Sequence, residues 1–137
     1  MVLTFNVQGG DFTVAGTASS QVKRALKQLG VDPTIIKRVV VALYEAEVNI
    51  VAHAYHGDIT ADIDSDRVFV KLVDQGPGIA DIEKAMTPGF STASAEVREM
   101  GFGAGMGLPN ISRNSDVFNI HSVPNQGTTL EITIFLK

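Results

Sequence analysis

The stretch that most restricts the fold is a long, mostly apolar run from Ile35 to Tyr55, which carries Glu45, Asn49 and His53 at four-residue spacing. Apolar residues at this density and length read as a helix buried in a domain. Positions four apart share one helical face. Glu45, Asn49 and His53 therefore make a polar stripe, which Arg38 extends toward the N-terminal end and His56 toward the other. Polar groups there are costly unless they are paired, solvated or bound to a ligand. An acid, an amide and an imidazole in a row suit a metal-phosphate site. Taken alone, the stripe is better explained as a solvated helix face. Two glycine clusters further along reverse that preference.

The 137 residues fit a single domain, 1–137, able to bury a real core. No cysteine is present, which excludes disulfides and thiolate metal sites. The net charge is −4, and no run of Lys or Arg stands out along the chain. Both facts argue against direct nucleic-acid binding. No charge-free apolar run reaches membrane-spanning length, and Met1-Val-Leu-Thr-Phe5 lacks the basic region of a signal peptide. The expectation is a complete, soluble, cytoplasmic protein with no membrane partner, no repeats and no internal linker.

Leu3–Val7 alternates as a strand, and Phe12–Ala15 reads as its hairpin partner across Gly9-Gly10-Asp11. Thr17 or Ser19 is placed to cap a first helix that runs to Leu29 and stops at Gly30. Asp32-Pro33 opens the long helix, which is expected to end near His56-Gly57. Ile59–Asp64 and Arg67–Asp74 alternate as a central hairpin. A short helix fits Asp81–Met86, and Thr87–Gly107 reads as a long functional loop. Leu108–Ser115 is a helix with Pro109 in its first turn. Val117–Ser122 and Thr128–Phe135 are the last strands. The expected class is α+β: a two-layer sandwich of a mostly antiparallel, mixed sheet with helices on one face.

Asp74-Gln-Gly76-Pro-Gly78-Ile79 follows a strand directly. Glycines let a backbone approach a flat ligand, and an aspartate there can accept a hydrogen bond from an amine such as adenine N6. On its own, Gly-Pro-Gly is better explained as a plain turn with a solvated Asp. Gly101-Phe-Gly103-Ala-Gly105-Met-Gly107-Leu108 sets four glycines at alternate positions before a helix. Their backbone amides can hold phosphates. The spacing is neither that of a Walker A loop nor that of a Rossmann loop. No Lys or Arg lies between Arg98 and Arg113, which leaves amides, Mg²⁺ and Arg98 to meet phosphate charge. Gly127-Thr128-Thr129 opens the final strand, where a threonine can back a base pocket.

The order of these features resembles the GHKL (Bergerat-fold) ATPases over nearly the whole chain. Within that superfamily the chain is most similar to the small bacterial anti-sigma-factor and stress-switch serine kinases. The RsbT-like branch is matched by Asp81-Ile-Glu-Lys-Ala-Met86, Gly89-Phe-Ser-Thr92 and Gly105-Met-Gly-Leu-Pro109. The resemblance implies ATP and Mg²⁺ as cofactors. It implies Asn49 as the Mg²⁺ ligand and Glu45, one turn earlier, as general base toward a serine hydroxyl. Asp74 would bind adenine in a pocket shaped by Gly76, Gly78 and Ile79. Gly103, Ala104, Gly105, Met106, Gly107 and Leu108 would wrap the phosphates. Thr128 or Thr129 would back the base, and His53 and Arg98 would reach phosphate.

It also implies a protein substrate of the STAS antagonist class, with a sigma factor or a phosphatase as further partners. The anti-sigma branch is expected to be dimeric; the switch-kinase branch need not be. An ATP-dependent binding module with little or no kinase activity is the alternative. Two features depart from the pattern. Glu47 falls on the apolar side of the long helix, where a small or apolar residue is expected. The lid, Phe90–Gly107, is longer than in sporulation-type relatives.

Overall fold

Alternation in Arg67–Gln75 puts Val68, Val70 and Leu72 on one face of a strand, β3. The same period in β2, His56–Ile63, buries Gly57, Ile59, Ala61 and Ile63. A computed structural model gives the architecture and describes residues 1–79, 82, 86 and 107–136. Five strands form one sheet in the order β1-β2-β3-β5-β4, with β1 Val2–Gln8, β4 Val117–Val123 and β5 Gly127–Phe135. All four pairings are antiparallel, so the sheet contains no parallel pair among the described strands. Helices α1 (Thr17–Gln28), α2 (Pro33–His53) and α3 (Gly107–Asn114) complete the layer arrangement, and α2 packs against both of the others. Leu26, Leu43, Ile50 and Ile111 from the helices meet Ile59, Leu72 and Ile132 from the sheet in one core. Each such side chain contributes roughly 1.5–3 kcal/mol on burial. Among the described residues no helix is long and apolar enough to cross a membrane.

The expected hairpin at the N-terminus does not form. Phe12–Val14 is one 3₁₀ turn, fixed by Asp11, whose Oδ1 accepts from the Thr13 N–H at 3.3 Å and the Thr13 hydroxyl at 2.6 Å. The Gly9 and Gly10 amides are committed elsewhere. They donate to the carbonyls of Tyr55 and Val51, each at 2.8 Å. β1 pairs instead with β2, from Val2 opposite Asp62 to Gln8 opposite His56. These contacts also end α2 earlier than expected. Ala54 is extended, and the Tyr55 N–H donates to the Gln75 carbonyl at 2.8 Å, so the chain joins the sheet at His56.

Neither Thr17 nor Ser19 caps α1. Both lie in its first turn, and their hydroxyls donate backward to the carbonyls of Val14 and Gly16. The N-cap is Gly16, which has no side chain to offer. Glu47 of α2 supplies the missing acceptor: Oε2 takes the Ala18 N–H at 3.0 Å and Oε1 the Ser19 N–H at 3.3 Å. A carboxylate at a helix N-terminus is favoured by free amides and by the helix dipole. That accounts for an acid only 1% exposed on the apolar side of α2. The far end of α1 closes as expected. Val31 N–H bonds the Leu26 carbonyl and Gly30 N–H the Lys27 carbonyl, each at 3.1 Å, a Schellman cap.

Of the helix expected over 81–86, Ile82 and Met86 are described; the Met86 N–H donates to the Ile82 carbonyl at 2.9 Å, the spacing of one helical turn. The segment Gly89–Thr92 and the long loop up to Met106 lie outside the described residues.

Candidate functional site

Two groups of side chains stand out, one on α2 and one where β3 and β4 end and β5 begins. On α2, Glu45 and Asn49 are half-buried one turn apart, on the side that meets α3. Gly107 of α3 sits directly against both. A methyl group added there would lie 3.3 Å from Asn49 Oδ1 and 3.5 Å from Glu45 Oε2. Such a group would press on the Asn49 oxygen and touch that of Glu45, so the glycine lets α3 approach both closely. Pro109, which has no N–H, fits the first turn of a helix. Leu108 next to it points into the core at 7% exposure.

His53 closes α2, one turn beyond Asn49 and half-buried, and burial lowers its pKa. The two ends of the expected stripe leave this group. Arg38 is turned to Asp116, with Nη2 to Oδ1 at 3.0 Å, which ties α2 to the start of β4. His56 is exposed at the start of β2.

The second group centres on Asp74, near the end of β3. Its Oδ1 accepts the Thr128 N–H at 3.1 Å. No hydrogen bond reaches Oδ2 among the described residues. Burial raises the Asp74 pKa, against the opposing pull of the Thr128 N–H and of His56. Gly57 of β2 packs closely beside it: a Cβ there would meet Asp74 Cβ at 3.2 Å and Ile50 Cδ1 at 3.0 Å. One carboxylate oxygen is thus held by the backbone, and the other is left available as an acceptor.

The loop after Asp74 is clamped to the β4–β5 turn. Gly76 N–H donates to the Gln126 carbonyl at 3.2 Å, and Asn125 N–H to the Pro77 carbonyl at 2.7 Å. Gly78 has φ of +72° and its Cα faces the Val123 carbonyl, so both backbone and space require glycine. Ile79 N–H donates to Ser122 Oγ at 2.7 Å. That hydroxyl donates onward to the Gly127 carbonyl at 3.1 Å and lies 2.8 Å from Thr128 Oγ1. One serine therefore joins the glycine loop to the strand that holds Asp74.

Ser122 escaped the sequence reading, although a signal was present. In Phe118, Ile120, Ser122 a hydroxyl takes the third inward-facing position of an alternating strand. The two threonines also separate. Thr128 is buried on the Asp74 side, whereas Thr129, next along β5, belongs to the opposite face, between Val73 and His121. Arg98, Gly103, Ala104, Gly105 and Met106 lie outside the described residues. Among the described residues no cluster of three or more His, Cys, Asp or Glu could hold a metal alone. Asn49 offers a hard amide oxygen, the kind of donor Mg²⁺ takes alongside phosphate oxygens, and leaves the Glu45 carboxylate beside it unspent.

An antiparallel sheet backed by helices, with an acid–amide pair on the central helix and an Asp-x-Gly-x-Gly turn at a strand end, defines the GHKL class of fold. The chain belongs to the histidine kinase-like ATPase domain family, which it matches over residues 12–134. Its relatives place it with the anti-sigma-factor and switch-kinase members. It is 35% identical over 112 residues to the anti-sigma F factor of Thermoanaerobacter sp. (strain X514), covering 77% of this chain and 75% of that one. It is 34% identical over 119 residues to the serine/threonine-protein kinase RsbT of Bacillus subtilis (strain 168), covering 84% of each.

Solved structures agree on the fold. A Mycobacterium tuberculosis chain with RsbU and RsbW domains superposes with a TM-score of 0.65 at 18% identity, over 97% of this chain and 32% of that one. A chain of the SiaB–SiaC complex of Pseudomonas aeruginosa gives 0.60 at 12% identity, over 97% of this chain and 89% of that one.

Proposed function

We propose that this chain, as a single domain, is an ATP-binding serine/threonine protein kinase of the switch-kinase type. It would transfer the γ-phosphate of ATP to a serine or threonine of a STAS-type antagonist protein. The observation that carries the reading is the convergence of Glu45, Asn49 and Gly107, where a carboxylate and an amide oxygen lie beside a glycine at the start of α3. In this reading Asp74 Oδ2 accepts from the adenine amine, and Thr128 and Ser122 hold the carboxylate and the glycine loop in place. Asn49 would hold Mg²⁺, whose charge would offset that of the ATP phosphates. Glu45 takes the proton of the attacking hydroxyl. His53, Ile79, Gly76 and Gly78 line or support the nucleotide, as do Arg98, Gly103, Ala104, Gly105 and Met106 in the segment before α3.

A second reading is an ATP-dependent binding module, an anti-sigma factor or a phosphatase activator with little or no kinase activity. It is favoured by relatives named anti-sigma F factor, which match as well as the kinase does. The two readings separate in one experiment. The chain, Mg-ATP and a STAS-type antagonist from the same organism are incubated together and searched for phosphoserine or phosphothreonine. Added phosphate supports the kinase. ATP binding with no phosphate added supports the binding module.

A further inference from the structure

On the far part of α2 from this site, α1 and α2 frame a groove of about 470 Å³. Ile36, Val40 and Val41 contribute to an apolar floor, and Lys23, Lys27 and Lys37 stand around it. Residues 16–41 carry five basic side chains against the single acid Asp32, a local charge of +4 in a chain of net −4. The acid is engaged: Asp32 Oδ1 caps α2 by accepting the Thr34 N–H at 2.8 Å. Arg38 is held by Asp116. The three groove lysines are exposed and form no ion pair among the described residues. Packing of the two helices thus brings three of these basic side chains around one hollow.

Three like charges around an apolar hollow repel one another, and a bound anion relieves that repulsion. The hollow is concave, so its complement is a convex ridge of apolar side chains rather than a flat bilayer surface. An amphipathic helix with acidic flanks supplies both features, and laying its apolar face into such a groove is a recurrent mode of recognition. We propose that the α1–α2 groove docks an acidic amphipathic segment of a partner protein. Apolar side chains of the partner sit on Ile36, Val40 and Val41, and its carboxylates pair with Lys23, Lys27 and Lys37. This does not depend on kinase activity, since Lys37 lies about 12 Å along the α2 axis from Glu45.

The test uses the full chain, ¹⁵N-labelled, and a synthetic peptide with leucines at helical spacing flanked by glutamates. Saturable shifts confined to the groove residues of α1 and α2 are expected, with affinity falling as salt is raised. The Lys23→Glu/Lys27→Glu/Lys37→Glu variant should bind about tenfold more weakly or worse, at a factor of about two to five per exposed pair. Its ATP affinity should be unchanged, because none of the three belongs to the nucleotide site. A peptide with glutamine in place of glutamate should lose comparably. Several results would overturn the proposal: no saturable binding, equal binding of the glutamine peptide, shifts centred elsewhere, or binding of phosphatidylglycerol vesicles but not of the peptide.

Discussion

On the side of α2 that meets α1, Glu47 is buried, and both of its oxygens are taken by the backbone amides of Ala18 and Ser19. On the side that meets α3, Glu45 lies two residues away, half-buried beside Gly107, and accepts no hydrogen bond among the described residues. The same side chain on the same helix is therefore used in two ways. Where the acid is enclosed, it completes a helix that begins on a glycine and lacks a cap of its own. The other acid, beside an amide and a glycine, ties no element together by a hydrogen bond among the described residues. Polar groups that a fold carries without using them structurally are the ones to assign to function. Along one helix, Glu47 closes α1, and Glu45 is the acid we propose for the chemistry.

The sharpest way to break this comparison is to remove each acid in turn. Glu45→Ala should leave ATP binding and thermal stability close to wild type, yet slow phosphoryl transfer by about 10²–10⁴-fold, the usual contribution of a general base. A quench-flow or single-turnover assay measures it. Asp74→Asn comes next. It keeps an acceptor for the Thr128 N–H but can turn a donor toward adenine, and should weaken ATP binding by roughly 10–100-fold, the worth of a hydrogen bond to a charged group. Calorimetric titration reads this directly, and unchanged affinity would sink the pocket assignment. Glu47→Ala reverses the pattern of Glu45→Ala. Loss of a charged cap should cost about 1.5–3 kcal/mol of stability in urea unfolding, with per-molecule ATP affinity retained.

A smaller effect follows from the raised pKa of Asp74. The folded state holds that proton more tightly than the unfolded chain does, so stability falls as pH rises through the window above the ordinary aspartate range. At neutral pH the ionised, half-buried carboxylate is a net burden. Asp74→Asn should therefore melt slightly higher than wild type at pH 7, with the gap closing in acid. Melts across pH check the sign. ATP affinity of the wild type should weaken in acid before an ordinary aspartate would protonate.

Local patterns carried much of the fold. β3, β5 and α3 were readable because period-two alternation and a proline in the first turn are properties of neighbours in the chain. Asp32-Pro33 and Gly30 marked helix ends for the same reason. Long-range hydrogen bonds decided what was misread. Gly9-Gly10 resembles a hairpin turn, but its amides go to the end of α2, and β1 crosses to β2. Glu47 looked out of place because its partners lie 28 and 29 residues earlier. Thr128 and Thr129 were left undivided, although strand alternation separates them. Alternation along β4 marks Ser122 as inward-facing, but its bond to the glycine loop spans 43 residues. The groove lysines sit on two helices, and only packing unites them.

The most direct test of the division within α2 is intact-mass spectrometry of a STAS-type antagonist incubated with Mg-ATP and one of three proteins: wild type, Glu45→Ala or Glu47→Gln. The account predicts one added phosphate with wild type and with Glu47→Gln, assayed well below its lowered melting temperature, and none over the same interval with Glu45→Ala. Phosphate added by Glu45→Ala at the wild-type rate would contradict it.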